Sequence, residues 1–526
     1  MTIFLSGPMG AGKSTVAKLL SSRLGVEAVD LDERIEHRAG RTIPEIFREQ
    51  GEPAFRALER EVALGLATSG AVVALGGGAV TDATTRRALL ERGTLITLTA
   101  APEELARRCG DGAGRPLLVG REPVAVLRDL LERRAAAYAE AHGVVRTDGK
   151  SSAEVADEVL AVVRDAPVVV ALGERSYRVE IGSGIRARLA ARAREAASGD
   201  VVLVHDADAD AGRPWPAEAE ASLRELGRRV VGVRLDAGEE HKTIHAAERV
   251  WDAALEAGVD RRCLVVGVGG GVVGDLTAFA ASTLLRGVAL GQLPTTLLSM
   301  VDSSVGGKTG FNRAAGKNLV GTFYQPKFVI CDVATLSTLP DAERVAGLAE
   351  VVKSAWLDGE ASVAALERDA AALRAGDEAA TIRAVRMSVG LKARIVASDE
   401  TESGPRMLLN LGHTVGHGLE AAGEYRELRH GEAVALGMVA ALRVSRSLGR
   451  VTDEASERMV GLLDALGLPT DLDARLSDSV FHFMTSDKKK AGGSIRFIAP
   501  GEPGQTEIVP LSAAQIRAAV EVAGRG

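Results

Sequence analysis

The sequence predicts an α/β protein with two successive parallel sheets and a helical end, and three observations carry that prediction. At the N-terminus a short apolar run, a glycine-rich loop and an amphipathic helix follow one another directly. Through the middle, strand-length apolar runs alternate with helical ones. Beyond about residue 340 the apolar residues recur at helical spacing. With 526 residues the chain exceeds one ordinary core, so several domains are expected, and their expected bounds are 1–165, 166–340 and 341–526.

Lys plus Arg number 64 and Asp plus Glu 71, a formal charge of −7. No long run of one sign occurs, which gives no support to a nucleic-acid or membrane-surface partner. Apolar runs such as 168–172 and 263–268 are too short to span a bilayer. The opening MTIFLSGPMGAGKST has neither a charged leader nor a small-residue cleavage site, so no signal peptide is expected. Cys109, Cys263 and Cys331 are odd in number and widely spaced, which suits a reducing cytoplasm and leaves any metal to histidines and carboxylates.

In the first segment Thr2–Ser6 reads as a buried strand, and Gly7-Pro-Met-Gly10-Ala11-Gly12-Lys13-Ser14-Thr15 follows as a complete Walker A loop before a helix. Backbone N–H groups of Gly10 to Thr15 would cradle the phosphates of ATP, Lys13 would reach the β and γ phosphates, and Ser14 would ligate Mg2+. Val29-Asp30-Leu31-Asp32 is expected to end a second strand, where alternate carboxylates share one side: one could serve Mg2+ and the other a substrate hydroxyl. Phe55-Arg56-Ala-Leu-Glu59, then Gly76-Gly77-Gly78, Arg115 after the glycine-rich CGDGAG, and Arg134 before Tyr138 complete the pattern.

That order resembles shikimate kinase over the whole segment. The resemblance implies a P-loop kinase fold, a parallel sheet with helices on both sides, that phosphorylates shikimate. It places Asp32, Arg56, Gly77, Gly78 and Arg134 around shikimate, and Asp30 with Ser14 on Mg2+. Lys13, Asp32 and Arg115 become the catalytic group, with Arg115 also on ATP. Another small-molecule P-loop kinase is the rival, disfavoured by the FRALE and GGG elements.

A helical run at 153–163 is broken at Asp165-Ala-Pro167, and a new strand begins at Val168. Further on, Gly267-Val-Gly-Gly270-Gly271-Val272-Val273-Gly274-Asp275 ends a strand and opens a helix of small residues, a turn that could cradle a pyrophosphate. Asp236, Gly238, Glu239, Glu240 and Lys242 precede it; Thr295, Thr296, Thr335 and Thr338 add hydroxyls after it. Because no second Walker A loop exists, a dinucleotide is favoured over a second ATP. Asp302, Lys308, Lys317 and Asn318 lie among glycines, suited to phosphate or a polyol.

Three of the nine histidines fall in RMLLNLGHTVGHGLEAAGEYRELRHGEAVALGM. His413 and His417 are four apart and would share a helix face, while His430 opens another apolar helix. Gly347-Leu-Ala-Glu350-Val-Val-Lys353 supplies a carboxylate. Glu350, His413 and His430 then make three ligands with room for a substrate oxygen, a catalytic zinc or cobalt pattern. His417 is left for proton transfer.

The motifs GGGVVGD, VDSSVGGKT, GKN, AEVVK, LNLGHTVGHGLE and HGEAVALGM together resemble 3-dehydroquinate synthase across residues 167–526. What the resemblance implies is a Rossmann-like NAD-binding α/β domain followed by a C-terminal α-helical domain. The activity implied is a metal-dependent cyclase that converts 3-deoxy-D-arabino-heptulosonate 7-phosphate to 3-dehydroquinate and phosphate, using NAD without net redox change. Asp302, Lys308, Lys353 and His417 become catalytic, with Lys308 and Lys317 also on NAD. Asn318, Lys392, Arg406, Asn410 and one lysine of the DKKK run, Lys489, join Lys353 and His417 around the substrate. Arg286 would come from a neighbouring subunit, which implies a homodimer. Another sugar phosphate cyclase or a metal-dependent polyol dehydrogenase remains the alternative for this half.

Overall fold

In the first unit the short apolar runs assemble into one parallel sheet. β1 (Thr2–Ser6), β2 (Ala28–Asp30), β3 (Val72–Ala74), β4 (Gly93–Thr99) and β5 (Gly143–Arg146) take the order β2-β3-β1-β4-β5. All five residues of β1 are buried, as expected for a strand covered on both faces. Ile3 and Leu5 join one apolar cluster and Phe4 the other, the period-two alternation of a strand.

The computed structural model describes residues 1–110, 118, 121–206, 213–236, 238–313, 316–486 and 494–522. They form two compact units, Met1–Arg178 and Val179–Gly526. The division between them falls after Arg178. After the helix Ser152–Arg164 and β6 (Val168–Val170), the chain docks back at the C-terminal end of the helix Pro123–Ala139. Buried Glu140 accepts from Arg86 Nε at 2.7 Å, from Gly173 N at 2.9 Å and from Ser176 Oγ at 2.6 Å. Arg178 Nε donates to Ala141 O at 2.9 Å.

One local expectation changes. The second strand stops at Asp30, and Asp32 sits in the first turn of the helix Leu31–Ala39. Asp30 caps that helix, accepting from Asp32 N at 3.1 Å, because a short carboxylate satisfies an otherwise orphaned N–H there. Strand alternation does not relate the two acids; the cap does.

In the second unit β7 (Tyr177–Gly182), β8 (Val201–Asp206), β9 (Val230–Leu235), β10 (Leu264–Gly269) and β11 (Ala289–Pro294) precede a hairpin, β12 (Lys308–Arg313) with β13 (Gly316–Phe323), and then β14 (Phe328–Asp332). The main sheet runs β7-β14-β11-β10-β8-β9, with β9-β8-β10-β11-β14 parallel. The glycine-rich turn joins β10 to the helix Gly271–Thr283. Among the described residues from Asp341 onward the unit is helical except for one antiparallel hairpin, β15 (Ile495–Pro500) with β16 (Thr506–Leu511).

Three of these helices meet where the metal ligands were expected: Asp341–Asp358, His413–Ala422 and His430–Ser447. Two glycines permit the approach. A Cβ at Gly431 would stand 1.8 Å from Ala346 O, and one at Gly437 would stand 1.9 Å from Gly412 O. Only hydrogen fits at such distances, so the three backbones close to the separation that a shared ligand needs. Among the described residues no helix is long and apolar enough to cross a membrane.

Candidate active sites

The loop before the first helix is built for phosphate. Gly7, Gly10 and Gly12 hold φ of 132°, 78° and 88°, which turns successive N–H groups to one side, and the helix Lys13–Leu24 adds its N-terminal partial charge. Lys13 Nζ donates to Gly7 O and Pro8 O, each at 2.9 Å, and so lies against the same loop. Ser14 Oγ donates to Asp30 Oδ2 at 2.8 Å, which pairs the two expected Mg2+ ligands.

Beside the loop, Asp32, Arg56, the three glycines and Arg134 converge. A Cβ at Gly76 would meet Asp32 Oδ1 and Glu59 Oε1 at 2.9 Å, and one at Gly78 would meet both terminal nitrogens of Arg56 at 2.7 Å. Arg134 Nη1 and Tyr138 Oη both donate to Gly77 O, the second at 2.7 Å. Arg56 donates to buried Glu59 at 2.7 Å, which aims the guanidinium across the glycines. Burial, reinforced by the neighbouring charge of Asp30, raises the Asp32 carboxyl above its ordinary range. The result is a cavity edge with one carboxylate poised to accept a proton and two guanidinium groups to hold an anion.

In the second unit Glu350, His413 and His430 present ligand atoms within 4.8 Å of one another. Glu350 Oε1 lies 3.7 Å from His413 Nε2 and 3.9 Å from His430 Nε2. That oxygen is buried and has no hydrogen-bond partner, a costly state for a carboxylate unless a cation completes it. The other oxygen pairs with Lys353 Nζ. His413 Nδ1 stands 3.2 Å from Leu411 O, so Nε2 is the nitrogen left facing Glu350. Burial, with the charge of Lys353, holds the His413 imidazole well below its usual range, in the neutral form that binds a metal. The donor set thus fits a divalent zinc-like ion. His417 is exposed on the same helix, its ring 5.2 Å from that of His413.

Basic side chains gather near this cluster, where the hairpin and the turn after β11 meet the helices. Lys392 Nζ donates to Asp302 O at 2.6 Å and also pairs with the Asp302 carboxylate. Burial opposes ionisation of Asp302, yet Lys392 and Lys353 together hold it well below the ordinary carboxylate range. Lys308, at the start of the hairpin, pairs with Glu402, which also accepts from Asn410 Nδ2 at 2.8 Å. Glu402 holds a left-handed φ of 63°, strain that a non-glycine residue sustains only where its surroundings fix it.

At the glycine turn, Lys242 Nζ donates at 2.6 Å to both Asp275 Oδ2 and Asn318 Oδ1, which ties the turn's helix to the hairpin. Gly270 packs against Thr296 and Gly271 against Ser303, Val273 is buried beneath, Val272 is half-buried beside it, and Thr295 N donates to Gly269 O at 2.9 Å. Glu239 accepts from Asn312 at 2.8 Å. Asp236 is paired with Arg249, and Glu240 folds over Gly238, 3.9 Å from His241. Thr335 donates to Asp332 O and Thr338 accepts from Trp215 Nε1. Arg406, expected at the substrate, has a buried guanidinium that donates to the carbonyls of Gly306 and Glu400, behind Lys308. Arg286 is exposed with φ of 68° and makes no contact with the Glu350 cluster among the described residues. Arg115 and Lys489 lie outside the described residues.

Residues 232–346 and 347–490 match the N-terminal and C-terminal models of 3-dehydroquinate synthase. A 3-dehydroquinate synthase of a Geobacter species is 42% identical over 359 residues, which cover 68% of this chain and 98% of the relative. The chain belongs to the 3-dehydroquinate synthase family. Residues 9–164 match the shikimate kinase model, so a shikimate kinase segment precedes the synthase and the chain is an enzyme of both kinds. The synthase of Acidithiobacillus ferrooxidans is 44% identical over 330 residues, covering 62% of this chain and 90% of that protein. Among solved structures, 2-epi-5-epi-valiolone synthase from Streptomyces hygroscopicus, with NAD+ and Zn2+ bound, is 27% identical with a TM-score of 0.60, covering 66% of this chain and 97% of that one. A 2-deoxy-scyllo-inosose synthase with NAD+ and Co2+, 24% identical with a TM-score of 0.59, covers 66% and 97% and shares the fold.

Reading the sequence alone overlooked four groups that these sites contain. Glu59 and Tyr138 were visible in the kinase segment beside Arg56 and Arg134, without a signal of what they touch. In the synthase segment Glu402 lies outside the quoted motifs, and Glu420 ends LNLGHTVGHGLE without a role of its own. For Glu420 the helical spacing from His417 and Gly416 was the available hint, since it places a carboxylate one turn beyond the histidine pair.

Proposed function

We propose that the first unit transfers the γ-phosphoryl group of ATP to shikimate, and that the second converts 3-deoxy-D-arabino-heptulosonate 7-phosphate to 3-dehydroquinate and phosphate with NAD and a divalent metal. In the kinase segment Lys13 and the loop amides would bind the β and γ phosphates, with Ser14 and Asp30 on Mg2+. Arg56 and Arg134 would fork onto the substrate carboxylate. Asp32 would accept the hydroxyl proton, a modest task if the phosphoryl transition state is loose.

The observation that carries the synthase reading is the unpartnered buried oxygen of Glu350 between two histidine nitrogens, next to a cleft of lysines. Glu350, His413 and His430 would hold Zn2+ or Co2+, and the glycine turn with Lys242, Lys308 and Lys317 would hold NAD. When bound, the metal acidifies a coordinated hydroxyl and the cofactor accepts and returns a hydride. The chain's own residues do the rest. Lys353, Lys392 and Asn410 neutralise and orient the carboxylate and phosphate, Asp302 fixes Lys392, Glu402 fixes Lys308, and His417 exchanges a proton on the open side. We further infer domains at 1–165, 166–340 and 341–526, a cytoplasmic enzyme, and a homodimer in which Arg286 enters a second protomer's cleft.

The purified chain with heptulosonate phosphate, metal and NAD far below the substrate concentration should release phosphate for many turnovers with no accumulation of NADH. A polyol dehydrogenase would accumulate NADH, and phosphate release from a different sugar phosphate alone would move the second unit to another cyclase.

A further inference from the structure

Glu420 has no assigned role, yet it joins two parts of the synthase cleft. It lies on the helix His413–Ala422, its carboxylate is almost wholly buried (4% exposed), and its two oxygens face different partners. Oε2 stands 3.4 Å from His430 Nδ1, on the side of the ring away from Glu350. Oε1 stands 3.4 Å from Lys317 Nζ, on the β12–β13 hairpin. The Lys317 ammonium also sits 4.0 Å above the Tyr425 ring, so the hairpin lysine is held from two sides.

Resting on the metal reading above, we propose that Glu420 is a positioning residue that fixes the His430 ring for the metal and anchors the Lys317 hairpin to the same carboxylate. An imidazole has two nitrogens, and the partner of one decides which tautomer and which ring orientation the other offers. A buried carboxylate on Nδ1 keeps the proton there and leaves Nε2 unprotonated toward Glu350. Such outer partners of a ligating histidine raise its basicity and hold its angle. His417 lies one turn before Glu420, its ring 6.2 Å from that of His430; the three residues present ligand atoms within 4.8 Å of one another, and it is the Glu420 carboxylate that stands 3.4 Å from His430 Nδ1.

The test is Co2+ binding to the full chain, followed by its visible absorption band and by competition with a chelator, for the wild type, Glu420→Gln and His430→Ala. Glutamine keeps the shape of the side chain and removes its charge. The metal-free melting midpoint reports whether the variant folds. We expect Glu420→Gln to lose about 10- to 100-fold in Co2+ affinity with an altered band, at an unchanged metal-free melting midpoint. Equal affinity and an identical band would overturn the role of Glu420 while leaving the metal site standing. No Co2+ binding by the wild type, or none lost in His430→Ala, would overturn the metal reading and this proposal with it. Should Glu420→Gln fail to fold, 15N imidazole shifts of the Zn2+-loaded wild type decide: metal on His430 Nε2 with a proton on Nδ1 is expected, and metal on Nδ1 contradicts the proposal.

Discussion

At Gly78 a single added methyl group would crowd the Arg56 guanidinium proposed to hold shikimate. The atoms it would strike are the ends of the flexible Arg56 side chain, 2.7 Å away, so the backbone need not move. Gly78→Ala should therefore keep its melting midpoint while the KM for shikimate rises by about tenfold or more, the loss of one charge-assisted contact, as steady-state kinase assays would register. Asp32 gives a prediction with a sign. Its folded-state carboxyl titrates above the ordinary 3.8 because of burial. Between that value and the raised one, the native chain holds a proton that the unfolded chain has lost. Stability contributed by this group falls as pH rises through the window, and the deficit persists above it. Asp32→Asn should thus melt higher than the wild type at neutral pH, the gap closing in acid, while kcat drops by about 10²-fold or more if a base is needed. A lower melting point at neutral pH would contradict the assignment of burial as the cause. The residues of the Walker loop and the Glu350, His413 and His430 triad were legible because scarce types stood at functional spacing. Glu402 was not: its importance lies in a left-handed backbone and in a lysine 94 positions away in sequence, and neither leaves a local pattern.

At the scale of elements, apolar runs between glycines marked the parallel strands and helical spacing marked the bundle. The β12–β13 hairpin was missed because its residues, rich in Gly, Lys and Asn, carry no apolar alternation; the pairing is held instead by close backbone approach and by Thr309 and Thr322, whose hydroxyls lie 2.8 Å apart. Helix capping likewise overrode strand alternation at Asp30 and Asp32. The connector after β6 shows what a short linker conceals. Glu140 and Arg86 form a pair with side chains 1% and 7% exposed, and the same carboxylate binds Gly173 and Ser176. Glu140→Ala would leave Arg86 charged and buried, and should cost about 3–5 kcal/mol in the first unit. Denaturant unfolding of the full chain, read through loss of shikimate phosphorylation, measures it; an unchanged midpoint would mean that the connector contributes nothing to the kinase segment.

At the scale of the molecule, the five-stranded sheet with the Walker loop belongs to the first unit and the Glu350 cluster to the second. The fold class followed from the order of elements, and the division into kinase and synthase followed from motif order. What lay beyond the sequence was which charged groups meet across the cleft: Lys392 with Asp302, Lys308 with Glu402 and Lys317 with Glu420 all join the sheet side to the helical side. We propose that the two chemistries use separate sites, only one of which depends on the Glu350 cluster. Both activities should be measured on one preparation before and after a chelator selective for zinc and cobalt, with Mg2+ in excess. Separate sites require that phosphate release from the heptulosonate phosphate disappears and returns on adding Zn2+ or Co2+, while shikimate phosphorylation is unchanged throughout. Phosphate release that survives complete metal removal would contradict it.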